Sequence, residues 1–154
     1  MGILTDDMKR VVREQRLGFI ATVCPDGTPN LSPKGSTAVW DEDHLMFGHM
    51  RSPVTMANLR QNPAMEINIV DVFVRKGYRF KGRAEILTNG PRYDEIMTVF
   101  KKMGQDTMIH EIVLMRVERA EPLISPAYDR GACEADIERE WVERWNALHP
   151  VHPT

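Results

Sequence analysis

LMFGHMRSPVTMANLRQNPAMEINIVD, residues 45–71, decides the fold. Leu45-Met46-Phe47-Gly48 is a strand-like run reaching His49. Ser52-Pro53 then opens a helix, because Ser is a preferred N-cap and Pro suits the first helical position, where its missing N–H would have had no intrahelical partner. The helix runs from Pro53 to about Gln61, and Asn62-Pro63 stops it. Beyond it Met65, Ile67 and Ile69 alternate with Glu66, Asn68 and Val70, which predicts a strand over residues 64–74. The first helical turn would present the N–H groups of Val54 and Thr55, the hydroxyls of Ser52 and Thr55, the positive end of the helix dipole and the guanidinium of Arg51. That is an anion site, most naturally for phosphate. Taken alone, the stretch reads more simply as a capped helix beside a surface arginine.

Upstream, Thr5 can cap a first helix in which Met8, Val11, Val12 and Gln15 share one face, with Asp6 and Asp7 in its first turn. Residues 19–23 are a β-rich run, and Pro25-Asp26-Gly27-Thr28 is a strong turn. A second strand is expected from about Pro29 to Trp40. Ser32, Lys34, Ser36 and Ala38 fall on one of its faces and Leu31, Pro33, Gly35, Thr37 and Val39 on the other, so neither face is a plain core stripe. Pro33 and Gly35 are poor interior strand residues; they suggest a bulge, a place where a ligand lies against backbone, or an edge strand.

Downstream, residues 78–87 alternate, with Tyr78, Phe80, Gly82, Ala84 and Ile86 opposite Arg79, Lys81, Arg83 and Glu85. Gly90-Pro91 starts a helix with Tyr93, Ile96, Met97, Val99, Phe100 and Met103 as core candidates, and residues 109–120 form a last strand. A final helix spans about 133–148, where Ile137, Trp141, Trp145 and Leu148 make an apolar stripe to be covered by the same chain or a second subunit. Six strands joined mainly by hairpins, with inserted helices, predict a mainly β fold: a small antiparallel barrel in one domain, residues 1–154.

The 154 residues are 42% hydrophobic and 27% charged, with a net charge of −2. Nothing in that balance favours nucleic acid or an acidic membrane as a partner. No run approaches the roughly 18 apolar residues of a membrane span, and the first residues lack the apolar core of a signal peptide, so a cytoplasmic protein is expected. Cys24 and Cys133 lie far apart and form no ligand motif. His44 and His49 should point to opposite strand faces, so no metal site is expected. There is no GxGxxG, P-loop or GxSxG, and no obvious nucleophile–base pair. Any difficult chemistry would come from a cofactor, and no catalytic residue is assigned.

Three segments, GFIATVCPDGTPNLSPKGS (18–36), residues 45–71, and RKGYRFKGRAEIL (75–87), in this order and spacing, resemble the FMN-binding split barrels related to pyridoxamine 5′-phosphate oxidase. The resemblance covers about residues 5–120. It implies a six-stranded antiparallel split barrel and a homodimer with FMN in clefts at its interface. It also implies a phosphate segment at Arg51, Ser52 and Thr55, a ring-binding strand at Ser32, Pro33, Lys34, Gly35 and Ser36, the counterpart of the family's Tyr-Thr-like pair at Gly48 and His49, and Arg79 on the strand that closes the site. Relatives also use a deazaflavin, or haem in a similar barrel; a phosphate site disfavours haem.

Two departures separate this chain from the oxidase. Pro53-Val54 stands where the oxidase carries basic residues, and the C-terminal Arg- and His-bearing substrate segment is replaced by an acidic helix. Pyridoxamine phosphate is therefore not the expected substrate. The leading expectation is an FMN-dependent oxidoreductase passing a hydride or electrons to or from a small molecule, with NADH or NADPH as a candidate donor. A flavin-binding protein for storage, sensing or electron relay, or an interaction module built on the Trp helix, are the alternatives.

Overall fold

The computed structural model describes residues 2–105 and 108–150. Helix α1 (Asp6–Gln15) is capped by Thr5, whose hydroxyl accepts from Met8 N at 3.3 Å, and it buries Val11 and Val12 as its periodicity predicts. Strands β1 (Gly18–Val23), β2 (Pro29–Lys34), β3 (Ala38–Val39) and β4 (His44–His49) lead to helix α2 (Pro53–Gln61). Then come β5 (Ala64–Asp71), β6 (Lys76–Leu87), α3 (Pro91–Lys102), β7 (Glu111–Ile124), a short 3-10 turn (Tyr128–Arg130) and α4 (Glu134–Leu148).

All seven strands form one antiparallel sheet in the order β2-β1-β5-β6-β7-β4-β3. Its two edge strands, β2 and β3, are consecutive in the chain and separated only by residues 35–37. A flat sheet of this width would hold its edges roughly 29 Å apart, whereas the link from Lys34 to Ala38 spans at most about 14 Å. The sheet must therefore curl until its edges approach, and the result is a split barrel. The strand expected over 29–40 is the one that breaks, which makes seven strands of the expected six. Thr37 Oγ1 donates to Lys34 O at 2.8 Å and holds the break. The strand expected to reach residue 74 instead ends at Asp71, whose carboxylate accepts from Phe73 N and Val74 N at 2.9 and 3.3 Å and turns the chain.

Ile20, Leu45, Phe47, Ile67, Ile69, Phe80, Val113 and Met115 fill the barrel, with Val11 and Val12 of α1 and Met56 and Leu59 of α2 packed into the same cluster. A second cluster lies on the outside of β4 and β7, where Ile96 and Phe100 of α3 cover Met46, Ile112 and Leu114. Strand β4 is thus apolar on both faces, with Phe47 in the cluster that α2 joins and Met46 in the one that α3 joins. Helix α4 buries Ile137 and lies against the β5–β6 turn of its own chain, with Arg75 4.5 Å over the Trp141 ring and Phe73 edge-on to Trp145. No described helix is long and apolar enough to cross a membrane.

Glycine is required where β6 and β7 change register between Lys81 and Gly82, because a Cβ on Gly82 would sit 1.9 Å from Arg116 O. Relieving that contact means parting two paired strands. Gly82→Ala is expected to cost about 1–3 kcal/mol, read as a lower midpoint in urea unfolding.

Candidate functional site

The broken strand creates the site. Where β2 ends and the chain crosses to β3, a cavity of about 310 Å³ opens between Pro33-Lys34-Gly35-Ser36, the end of β4 at Gly48, the following Met50-Arg51, and Gln105 beyond α3. Ser36 fastens the crossing to β4, its Oγ accepting from Gly48 N at 3.0 Å. Gln105 Nε2 donates to Gly35 O at 3.3 Å from the opposite side. A Cβ on Gly35 would meet nothing within 4 Å, so the cavity is open at that point.

The electrostatics are cationic. Lys34 and Arg51 both line the cavity, and neither forms an ion pair among the described residues. Lys34 Nζ donates to Ser32 Oγ at 2.5 Å and to Pro33 O at 3.3 Å, and burial lowers its pKa below the usual lysine value. Next to it, His49 turns its Nδ1 to Ser52 Oγ at 3.3 Å. Burial holds the imidazole below its ordinary pKa; Glu111 opposes that shift, while His110, Lys34 and Arg60 reinforce it. Glu111 is itself held by Arg60 Nη2 at 2.5 and 2.7 Å.

Helix α2 begins beside this group. Its first intrahelical bond runs from Met56 N to Ser52 O at 3.2 Å, which leaves the N–H groups of Val54 and Thr55 ahead of the ladder. Ser52 occupies the N-cap but makes no side-chain cap bond. Thr55 is 1% exposed and its hydroxyl accepts from Asn30 Nδ2 at 3.1 Å, inside a network that also joins Thr22, Asn58 and Cys24.

Of the residues singled out from sequence, Pro33, Lys34, Gly35, Gly48 and Arg51 therefore line one cavity. Ser32, His49 and Ser52 adjoin it through Lys34 and Arg51. Thr55 lies behind, held by Asn30. Arg79 is not in this group: it faces the outer side of the sheet opposite Asn68, with its Nε 2.8 Å from Glu66 Oε1. Ser36, the last residue of the expected ring-binding strand, also lines the cavity, and Met50 and Gln105 enter it without having been singled out. No group of three metal-ligating side chains occurs among the described residues.

The arrangement suits a planar, phosphate-bearing molecule. Two cations without carboxylate partners and the leading N–H groups of a helix are a donor set for an anion, and the exposed backbone of residues 33–35 offers polar groups to a ring edge. The volume is at the small end for a ligand site.

Comparison with known proteins identifies relatives of the fold. The sequence profile described as pyridoxamine 5′-phosphate oxidase matches residues 4–122. The crystal structure of HupZ from Group A Streptococcus is 32% identical, covering 80% of this chain and 96% of its own, with a TM-score of 0.73. Two further structures share the fold. A putative pyridoxamine 5′-phosphate oxidase from Lactobacillus delbrueckii is 23% identical, covers 77% of this chain and 93% of its own, and has a TM-score of 0.66. An FMN-binding protein from Syntrophomonas wolfei is 13% identical, covers 77% of this chain and 85% of its own, and has a TM-score of 0.67. No curated protein matches.

Proposed function

The chain belongs to the pyridoxamine 5′-phosphate oxidase family, and on that premise we propose that it is an FMN-dependent oxidoreductase acting as a homodimer on a small substrate. The observation that carries this reading is the cavity at the barrel's closure, where Lys34 and Arg51 converge on exposed backbone without carboxylate partners. Arg51 and the N-terminus of α2 hold the phosphate. The backbone of Pro33 to Gly35 receives the ring edge, and Lys34 offsets negative charge on it. Bound flavin supplies the redox chemistry, exchanging a hydride or electrons at N5. The chain's own part is to bind, orient and shield the ring.

A second subunit supplies a further wall to the cleft. On the outer face of β1 and β2, register places Phe19 opposite Pro33, Ala21 opposite Leu31 and Val23 opposite Pro29. Phe19, Val23 and Leu31 are 43%, 40% and 65% exposed, an apolar strip that pairing would cover. Arg79 shares that face, two strands away, and there it meets the partner's cleft. Leu31→Asp is expected to give a folded monomer by analytical ultracentrifugation, with weakened FMN binding. A dimer unchanged in that variant would place the contact elsewhere.

Turnover is tested by adding NADH or NADPH without oxygen to FMN-loaded protein. The flavin absorbance is expected to bleach and to return when air is admitted. Flavin that stays oxidised with both donors would favour a passive carrier.

A further inference from the structure

A serine at a helix N-cap ordinarily gives its side-chain oxygen to the N–H two or three residues on. Ser52 does not. It is 8% exposed, makes no cap bond, and its Oγ lies 3.3 Å from His49 Nδ1. The first-turn N–H groups of α2 and this hydroxyl are left together at the end where the anion is placed. We propose that the His49–Ser52 pair senses the phosphate, Ser52 donating its hydroxyl proton to a phosphate oxygen when His49 Nδ1 carries a proton that Ser52 Oγ accepts. The inference rests on the phosphate site proposed above.

With the proton on Nε2 alone, Nδ1 accepts from Ser52 and the hydroxyl turns its lone pairs toward the helix mouth, where they repel an anion. With a proton on Nδ1, the imidazole donates to Oγ and the hydroxyl proton is released toward the ligand. Both bonds then polarise in the same sense. The imidazolium always carries that proton, whereas the neutral ring must adopt the right tautomer.

His49 is surrounded by Lys34 from β2, Arg60 from α2, and His110 and Glu111 beside and on β7. Glu111 is tied to Arg60, so the net surroundings and burial keep the ring neutral near pH 7. A bound phosphate opposes this and favours the protonated ring. By linkage, the preference for FMN over riboflavin, which lacks the phosphate, rises as the pH falls through the His49 titration.

The test is a set of titrations of flavin-free protein with FMN and with riboflavin, followed by flavin fluorescence between about pH 5.5 and 8, the range of histidine titration. Ser52→Ala and His49→Leu should each weaken FMN about tenfold, the size of one lost charge-assisted hydrogen bond, and leave riboflavin unchanged. The double variant should be no weaker than either single one. His49→Gln removes the titration, so the ratio of wild-type to His49→Gln affinity for FMN should rise at low pH; the ionisation of free FMN is common to both proteins and cancels. Retained riboflavin binding shows that each variant is folded. FMN affinity unaffected by both single variants, effects that multiply in the double variant, or a flat ratio across the pH range overturns the inference alone. Wild-type protein that binds FMN no more tightly than riboflavin overturns the phosphate site and this inference with it.

Discussion

Arg51→Ala is expected to weaken FMN binding about 10- to 100-fold, the effect of losing a charged donor to phosphate, while riboflavin affinity stays as in the wild type. The effect is large because this chain has few alternatives. Pro53 and Val54 follow Ser52 at the start of α2, so the first turn supplies no cationic side chain, and Thr55 is buried, its hydroxyl accepting from Asn30. Arg51 is exposed and has no structural partner among the described residues, so the unloaded variant should melt with the wild type. The two should separate only in the presence of FMN, which stabilises the form that binds it. Unchanged FMN retention would move the phosphate away from α2.

Phe80→Ala tests the barrel that carries the site. Phe80 is fully buried at the middle of β6, opposite Ile67 on β5 and Ala120 on β7, with the Tyr78 ring 6.1 Å away. Strands on both sides are locked by their ladders, so the space left by the ring cannot collapse. A loss of about 3–5 kcal/mol is expected, seen as a reduced urea midpoint at fixed protein concentration without flavin. A loss below about 1 kcal/mol would mean that the barrel interior closes over the gap, contrary to the packing described.

Local structure was legible in the sequence wherever one rule dominated. Met65, Ile67 and Ile69 alternate and are 6%, 0% and 0% exposed, and Thr5 and Ser52-Pro53 mark the helix starts. The crossing from β2 to β3 was only half legible. Pro33 and Gly35 pointed to a disturbed strand, but that the disturbance joins the two edges of a sheet depends on the sheet order, which no local pattern contains. The site divides along the same line. Arg51, Lys34 and Gly48 come together because the chain on either side of them is well marked. The hydroxyl of Thr55 was placed at the helix mouth from its position alone; what directs it inward is Asn30, 25 residues away. The face of Arg79 followed from alternation, whereas its ion pair with Glu66 required the β5–β6 register. Gln105, beyond the stop of α3, had no periodicity to mark it.

That this barrel holds FMN at the joint between β2, β4 and α2 is tested by the absorbance spectrum of the purified protein, with the released cofactor identified by mass. The expected result is a yellow protein with a flavin spectrum that releases FMN on denaturation, or, if isolated without flavin, acquires that spectrum stoichiometrically on adding FMN. A colourless protein that takes up no FMN on titration would contradict it.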